Sequence, residues 1–169
     1  ELSPYITMAE RLGAFLSNAS QAAAESIHFS YRGQLADAKT EMVRNGAIAG
    51  VLAHSEIVNR INAASVAPER GIRLHEERKE SGQGGAGSIF TLTLHTQAGT
   101  HSASATVLHG TQPRLLAYDG IDIEAPLQGT LICIRNRDVP GVIGRVGTVL
   151  GDMGVNIANF ALGRGNGMS

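Results

Sequence analysis

The residues best suited to chemistry lie in one short segment, Asn136-Arg137-Asp138-Val139-Pro140-Gly141, between an apolar run and a stretch with helical periodicity. Side chains ending a strand there would share space with the free amides of the following helix. Such amides attract carboxylates through unsatisfied N–H groups and the helix dipole. A free amino acid needs an anion site for its carboxylate and acceptors for its ammonium. Asp138, with the side-chain carbonyls of Asn136 and Asn156, could supply the acceptors. Asn156, just past the helix, would have to return to the loop or meet a symmetry-related copy. The plainer alternative is that Asn136 and Asp138 only cap the helix.

Other chemistries find less support. Gly82-Gln83-Gly84-Gly85-Ala86-Gly87 matches G-x-G-x-x-G, but it follows Glu76-Glu77-Arg78-Lys79-Glu80 and precedes a strand-like run. A dinucleotide fingerprint instead follows a buried strand and opens a helix, so a loop is expected and no NAD site. The six histidines, His28, His54, His75, His95, His101 and His109, show no metal-ligand spacing, although His95 and His101 could face each other across a hairpin. No Gly-x-Ser-x-Gly elbow is present for a nucleophilic serine. The single cysteine, Cys133, sits in Leu131-Ile132-Cys133-Ile134 and is expected to be a buried strand thiol in a reducing compartment. No catalytic residue and no metal site is therefore expected in this chain.

The elements that would position the loop follow from periodicity. Ser3-Pro4 predicts an N-cap and first helical residue, with Tyr5, Met8, Ala9, Leu12 and Leu16 on one face. A strand is expected over 26–35, with Gly33 at a bulge or end. Asp37 is expected to cap a helix over 38–53, in which Gly46 and Gly50 each cost about 1 kcal/mol relative to Ala. A shorter helix is expected over 55–67 with Ile57, Val58 and Ile61 inward, ended by Pro68 and Gly71. The period then becomes two, predicting strands at 72–78, 88–96, 101–109, 113–118 and 121–125, with Asp119-Gly120 the clearest hairpin turn.

Residues 1–127 thus form helices on a mainly antiparallel sheet, an α+β lobe expected to fold alone. A boundary falls at Pro126-Leu127-Gln128-Gly129. Beyond it, residues 128–169 predict a strand over 130–135, a helix over 140–153 and a strand over 155–162. Val142, Val146, Val149 and Leu150 form the helix's inward stripe. That is half of a ferredoxin-like split βαβ sandwich, with residues 155–169 left loosely ordered or paired with another chain.

With 169 residues the chain holds one domain or two small ones, and 43% hydrophobic against 17% charged residues is the balance of a folded protein. A net charge of -1 provides no basic field for nucleic acid, and no apolar run approaches the roughly 18 residues of a membrane span. Small molecules or protein are the expected partners. The start at Glu1-Leu2-Ser3-Pro4 suggests a piece of a longer polypeptide.

The run Asn136-Arg-Asp-Val-Pro-Gly-Val-Ile-Gly-Arg-Val-Gly-Thr-Val-Leu-Gly-Asp-Met-Gly-Val-Asn-Ile-Ala-Asn159 resembles the opening of the ACT domain of the D-3-phosphoglycerate dehydrogenase family. Ile61-Asn-Ala-Ala-Ser-Val-Ala-Pro-Glu-Arg-Gly-Ile72 and His109-Gly-Thr-Gln-Pro-Arg-Leu-Leu-Ala-Tyr-Asp-Gly120 are similar to segments of that family's intervening, allosteric substrate-binding domain. The resemblance implies a regulatory piece of an NAD-dependent oxidoreductase that converts 3-phosphoglycerate to 3-phosphohydroxypyruvate in L-serine synthesis. It implies no cofactor and no catalysis in this chain, NAD being held by the parent enzyme's catalytic domains. It further implies a cytoplasmic homo-oligomer in which ACT domains pair and bind L-serine as feedback inhibitor.

Carried over by position, the serine contacts would be Asn136, Asp138 and Asn156, with Gly141 allowing close approach. Relatives have His or Tyr where Asn136 stands. Some relatives hold a phosphate-bearing substrate on the last hairpin, where Arg114 matches while Asp122 and Pro126 replace basic residues. Two other readings are an oligomerisation scaffold with a degenerate ligand site, and the related domain of an iron–sulfur L-serine dehydratase.

Overall fold

The computed structural model describes residues 1–55, 57–80, 87–163 and 165. The glycine-rich segment expected to be a loop lies, except for Gly87, outside them. Helix α1 (Ser3–Ala19) leads to β1 (Ala24–Arg32), a 3₁₀ turn (Gly33–Asp37), α2 (Glu41–Val51) and α3 (Ala63–Glu69). Then come β2 (Arg73–Lys79), β3 (Ile89–Thr96), β4 (Gly99–Leu108), β5 (Gln112–Tyr118), β6 (Ile121–Pro126) and α4 (Val142–Asp152). The strands form one sheet in the order β2-β1-β3-β4-β5-β6, parallel only between β1 and β2. The fold class is α+β, as expected. Among the described residues no helix is long and apolar enough to cross a membrane.

Alternation decides which sheet face is covered. Ile27, Phe29 and Tyr31 of β1, Phe90, Leu92 and Leu94 of β3, and Ala103 and Ala105 of β4 are buried on the helix side. Met8, Leu12 and Leu16 of α1 and Val43, Ala47 and Ile48 of α2 complete that core. The other face is polar: Thr91 pairs with Ser104 at 2.8 Å and Thr93 donates to Ser102 at 3.3 Å.

The glycines of α2 have a packing role that propensity hides. A Cβ on Gly50 would stand 2.0 Å from the Glu10 carbonyl oxygen, and one on Gly46 would stand 2.9 Å from that of Ile6. Gly13 of α1 returns the contact, its notional Cβ 2.3 Å from the Ala47 carbonyl oxygen. The two helices therefore touch backbone to backbone.

Several expectations are corrected. Leu2, not Ser3, is the N-cap of α1. Strand β1 stops at Arg32 because Gly33 turns left-handed at φ 74°. Asp37 closes the 3₁₀ turn and does not cap α2, which begins after Thr40. The helix expected over 55–67 is only α3, because two asparagines take its backbone amides: Asn59 Oδ1 accepts from Ile61 and Asn62, and Asn62 Oδ1 from Asn59. Ile57 and Ile61 consequently point outward, 74% and 88% exposed. Pro68 is tolerated inside α3, and Gly71 (φ 78°) turns the chain out of it.

The stretches expected as strands, 130–135 and 155–162, form none. A strand needs a neighbour to take its N–H and C=O groups, and among the described residues neither stretch is hydrogen-bonded into the sheet. Of the expected ferredoxin-like unit, the helix alone is formed.

The close contact sets a test. Gly50→Ala is expected to lose about 2 kcal/mol in urea unfolding, since overpacking exceeds the gain of about 1 kcal/mol in helix propensity. Gly144→Ala on α4, with open space around it, should be neutral or stabilising.

Candidate functional site

The loop before α4 is built by Gly141, the helix N-cap, at φ 89°. A left-handed residue there costs glycine nothing, and with no atom within 4 Å of a notional Cβ the approach to the first helical turn is open. Asn136 turns its amide Nδ2 to donate to the Arg137 carbonyl at 2.8 Å. Asn136, Asp138 and Gly141 thus lie together, exposed, ahead of α4. Asn156 lies beyond the other end of a helix about 16 Å long at 1.5 Å per residue.

Helix α4 carries the expected amphipathic stripe but buries none of it. Val142, Val146 and Leu150 are half-buried, whereas Ile143 and Val149 are 51% and 53% exposed. The feature expected to position the loop is an apolar face without a covering layer among the described residues.

A second cluster joins this segment to the lobe. Asp119, in the left-handed region at φ 46°, accepts from the Ser102 N–H at 2.9 Å and lies 3.0 Å from His101 Nδ1. Its Oδ2 also pairs with Arg135, whose guanidinium stacks 5.5 Å from the Tyr118 ring centre. Burial by itself would raise the Asp119 pKa, but the Ser102 N–H, His101 and Arg135 favour the anion and hold it below its ordinary value.

The cluster borders a cleft of about 850 Å³ lined by Phe15 and Arg11 of α1, Tyr118, Leu127 and Cys133. Arg11 Nη1 donates to the Leu127 carbonyl at 3.2 Å, tying α1 to the outgoing chain. Spacing alone did not reveal this hub, because Asp119 reads as a turn residue. Its signal was an Asp in place of the Asn that the same turn accepts, opposite a histidine strand.

The remaining candidates fall elsewhere. Arg114 of β5 reaches Glu124 at 3.4 Å and has its Nε enclosed without an acceptor. His95 and His101 do not face each other: β3 pairs Leu94 with His101 and His95 with Thr100, so the two rings lie on opposite faces. His95 instead stacks with His28 at 4.8 Å between ring centres. Cys133 is exposed rather than buried, because the strand expected to bury it does not form. Desolvation, with Asp119 adding and Arg135 opposing, still holds its thiol above the ordinary range.

A family model described as the D-3-phosphoglycerate dehydrogenase intervening domain matches residues 1–119. The chain is 33% identical over 167 residues to a D-3-phosphoglycerate dehydrogenase of Synechocystis sp., covering 97% of this chain and 30% of that protein. It is 30% identical over 166 residues to one of Bacillus subtilis, covering 97% and 31%. A relative in Methanocaldococcus jannaschii is 29% identical over 166 residues, with the same coverage. The chain spans under a third of the length of these proteins.

Asp119→Asn tests the hub, since Asn keeps the left-handed backbone while losing the charge. It should cost about 1–2 kcal/mol in urea unfolding at neutral pH. The carboxyl is depressed in the fold, so its contribution is complete above the unfolded carboxyl range near 4 and fades as pH falls through the folded value. The gap between wild type and variant should narrow in acid below the ordinary carboxyl range near pH 4.

Proposed function

Since this chain belongs to the D-3-phosphoglycerate dehydrogenase family through its intervening domain, we propose that it is the regulatory, subunit-pairing part of such an enzyme and senses L-serine. The parent enzyme would be the cytoplasmic, NAD-dependent dehydrogenase that oxidises 3-phosphoglycerate at the start of serine synthesis. Two units carry the role, residues 1–127 as intervening domain and 128–169 as the start of an ACT domain. The observation behind the reading is the loop Asn136–Gly141 leading into the N-terminus of α4, beside an apolar stripe that the described residues leave at most half-buried.

In this reading the serine carboxylate meets the first amides of α4, and its ammonium meets Asp138 and the Asn136 carbonyl. Asn156 is contributed by a second copy packed on the α4 face. Binding then requires pairing, and serine shifts the assembly toward the arrangement it prefers by the difference of its affinities for the two states.

The residues here do not fit a dinucleotide. The next element described after the glycine-rich segment is the strand β3, whereas a dinucleotide fingerprint opens a helix that faces the pyrophosphate. NAD belongs to the parent enzyme's other domains, and this chain is proposed to have no catalysis of its own.

Calorimetric titration of L-serine, with D-serine as control, into this chain and into a version extended through a complete ACT sheet tests the proposal. Saturable binding of L-serine to the extended form, lost in Asp138→Ala and in Asn156→Ala, is the expected result. Absence of binding to both forms would reject serine sensing and leave an oligomerisation scaffold.

A further inference from the structure

The open face of the sheet carries a row of three imidazoles on three adjacent strands. His75 of β2 is the register partner of His28 of β1, with ring centres 4.6 Å apart, and His95 of β3 lies 4.8 Å beyond on the other side. His95 Nδ1 is 3.1 Å from the Thr100 hydroxyl. No helix residue lines the groove that runs along this face.

Strand β2 lies at one edge of the sheet. It is an edge strand with a single parallel neighbour, and Leu74 is its one residue that is not exposed. On the helix side Leu74 packs against the core, Tyr31 donates to Glu76 at 2.8 Å, Arg44 pairs with Glu76 at 3.6 Å, and Arg78 donates to the Ala36 carbonyl at 2.7 Å and to the Thr40 hydroxyl at 2.7 Å. On the open side its attachment is the contact of His75 with His28.

We propose that the row His75–His28–His95 is a proton-controlled catch for β2. Neutral rings pack and hold the strand on β1, and protonation sets like charges in contact and releases β2 before the rest of the sheet.

The charges around the row decide the sign. Facing His28 are His75 and Glu77 from β2 and His95 from β3, with Arg32 further along its own strand. Glu77 is engaged by Lys79 at 3.2 Å, and Asp122 lies in the same groove, contributed by β6 at the opposite edge of the sheet. Glu77 is thus the one nearby carboxylate, already shared, against three imidazoles.

The His28 pKa is lowered from 6.5, first by burial and then by His75 and His95, with Glu77 opposing. A lowered histidine means that the folded strand pair binds fewer protons than the open one. The pairing is strongest above the ordinary histidine range and weakens as pH falls below it. Like charges directly opposite across two strands are destabilising in any sheet. Release would bare the N–H and C=O edge of β1, a template for pairing with another strand.

Amide hydrogen exchange on the whole chain, corrected for intrinsic rates, separates local release from general acid unfolding. From about pH 7.5 to about pH 5, protection of the β2 amides should fall about tenfold relative to those of β4. In His28→Gln and His75→Gln, both at exposed positions, β2 protection should change less than about threefold over that range. Three results would overturn the catch: β2 stays protected in acid, β2 and β4 lose protection together, or both variants follow the wild-type profile.

Discussion

Everything on the covered face of the sheet depends on how closely α1 and α2 approach. Gly46 and Gly50 lie four residues apart and present one bare stripe, and Gly13 answers from α1. Each glycine costs about 1 kcal/mol of helix propensity, a cost offset by dispersion contacts between backbones that larger residues would hold apart. Because the pair is thin, α1 settles over β4, where Ala103 and Ala105 leave room beneath it. That seat brings Arg11 to the Leu127 carbonyl and sets Phe15 edge-on to Tyr118 at 5.3 Å. The helix contact therefore determines where the outgoing chain is held.

Much of this was legible in the sequence where burial enforces a period. The strands from Arg73 onward fall within two residues of their expected bounds, because inward apolar residues alternate with hydroxyls and histidines in β3 and β4. Legibility ended where one residue type has two uses. Gly46 and Gly50 read as helix weaknesses, and only the neighbouring helix shows them to be contacts. Asn59 and Asn62 interrupt a helical period by taking backbone amides, which a pattern of apolar residues does not register. Register was also hidden: one residue of offset in the β3–β4 pairing sends His95 and His101 to opposite faces and creates both the imidazole row and the Asp119 hub.

The candidate amino-acid site was legible in composition but not in assembly. Its loop residues are neighbours in the chain, and Gly141 sets the entry to α4 by its left-handed backbone. The strands on either side depend on partners outside their own sequence, and periodicity alone cannot supply those. An amphipathic helix forms from local hydrogen bonds, whereas an isolated extended stretch has none to form. The same asymmetry explains why Cys133 is exposed while α4 is intact.

If serine is sensed ahead of α4, its signal has two described routes to the lobe, residues 127–135 and Gly163, which lies close against Ile121 and Ile123 of β6. Along the first, the described links are few: the Leu127 N–H to the Pro113 carbonyl, Arg11 to the Leu127 carbonyl, and Arg135 with Asp119 and Tyr118. The first two fix the exit point, and Arg135 fixes the direction in which the chain leaves it. Asp119 already accepts from Ser102 and neighbours His101, so it stays in place whether or not Arg135 is present. A charged pair whose arginine side chain is 63% exposed has the modest strength that a differential affinity of one to three kcal/mol can overcome.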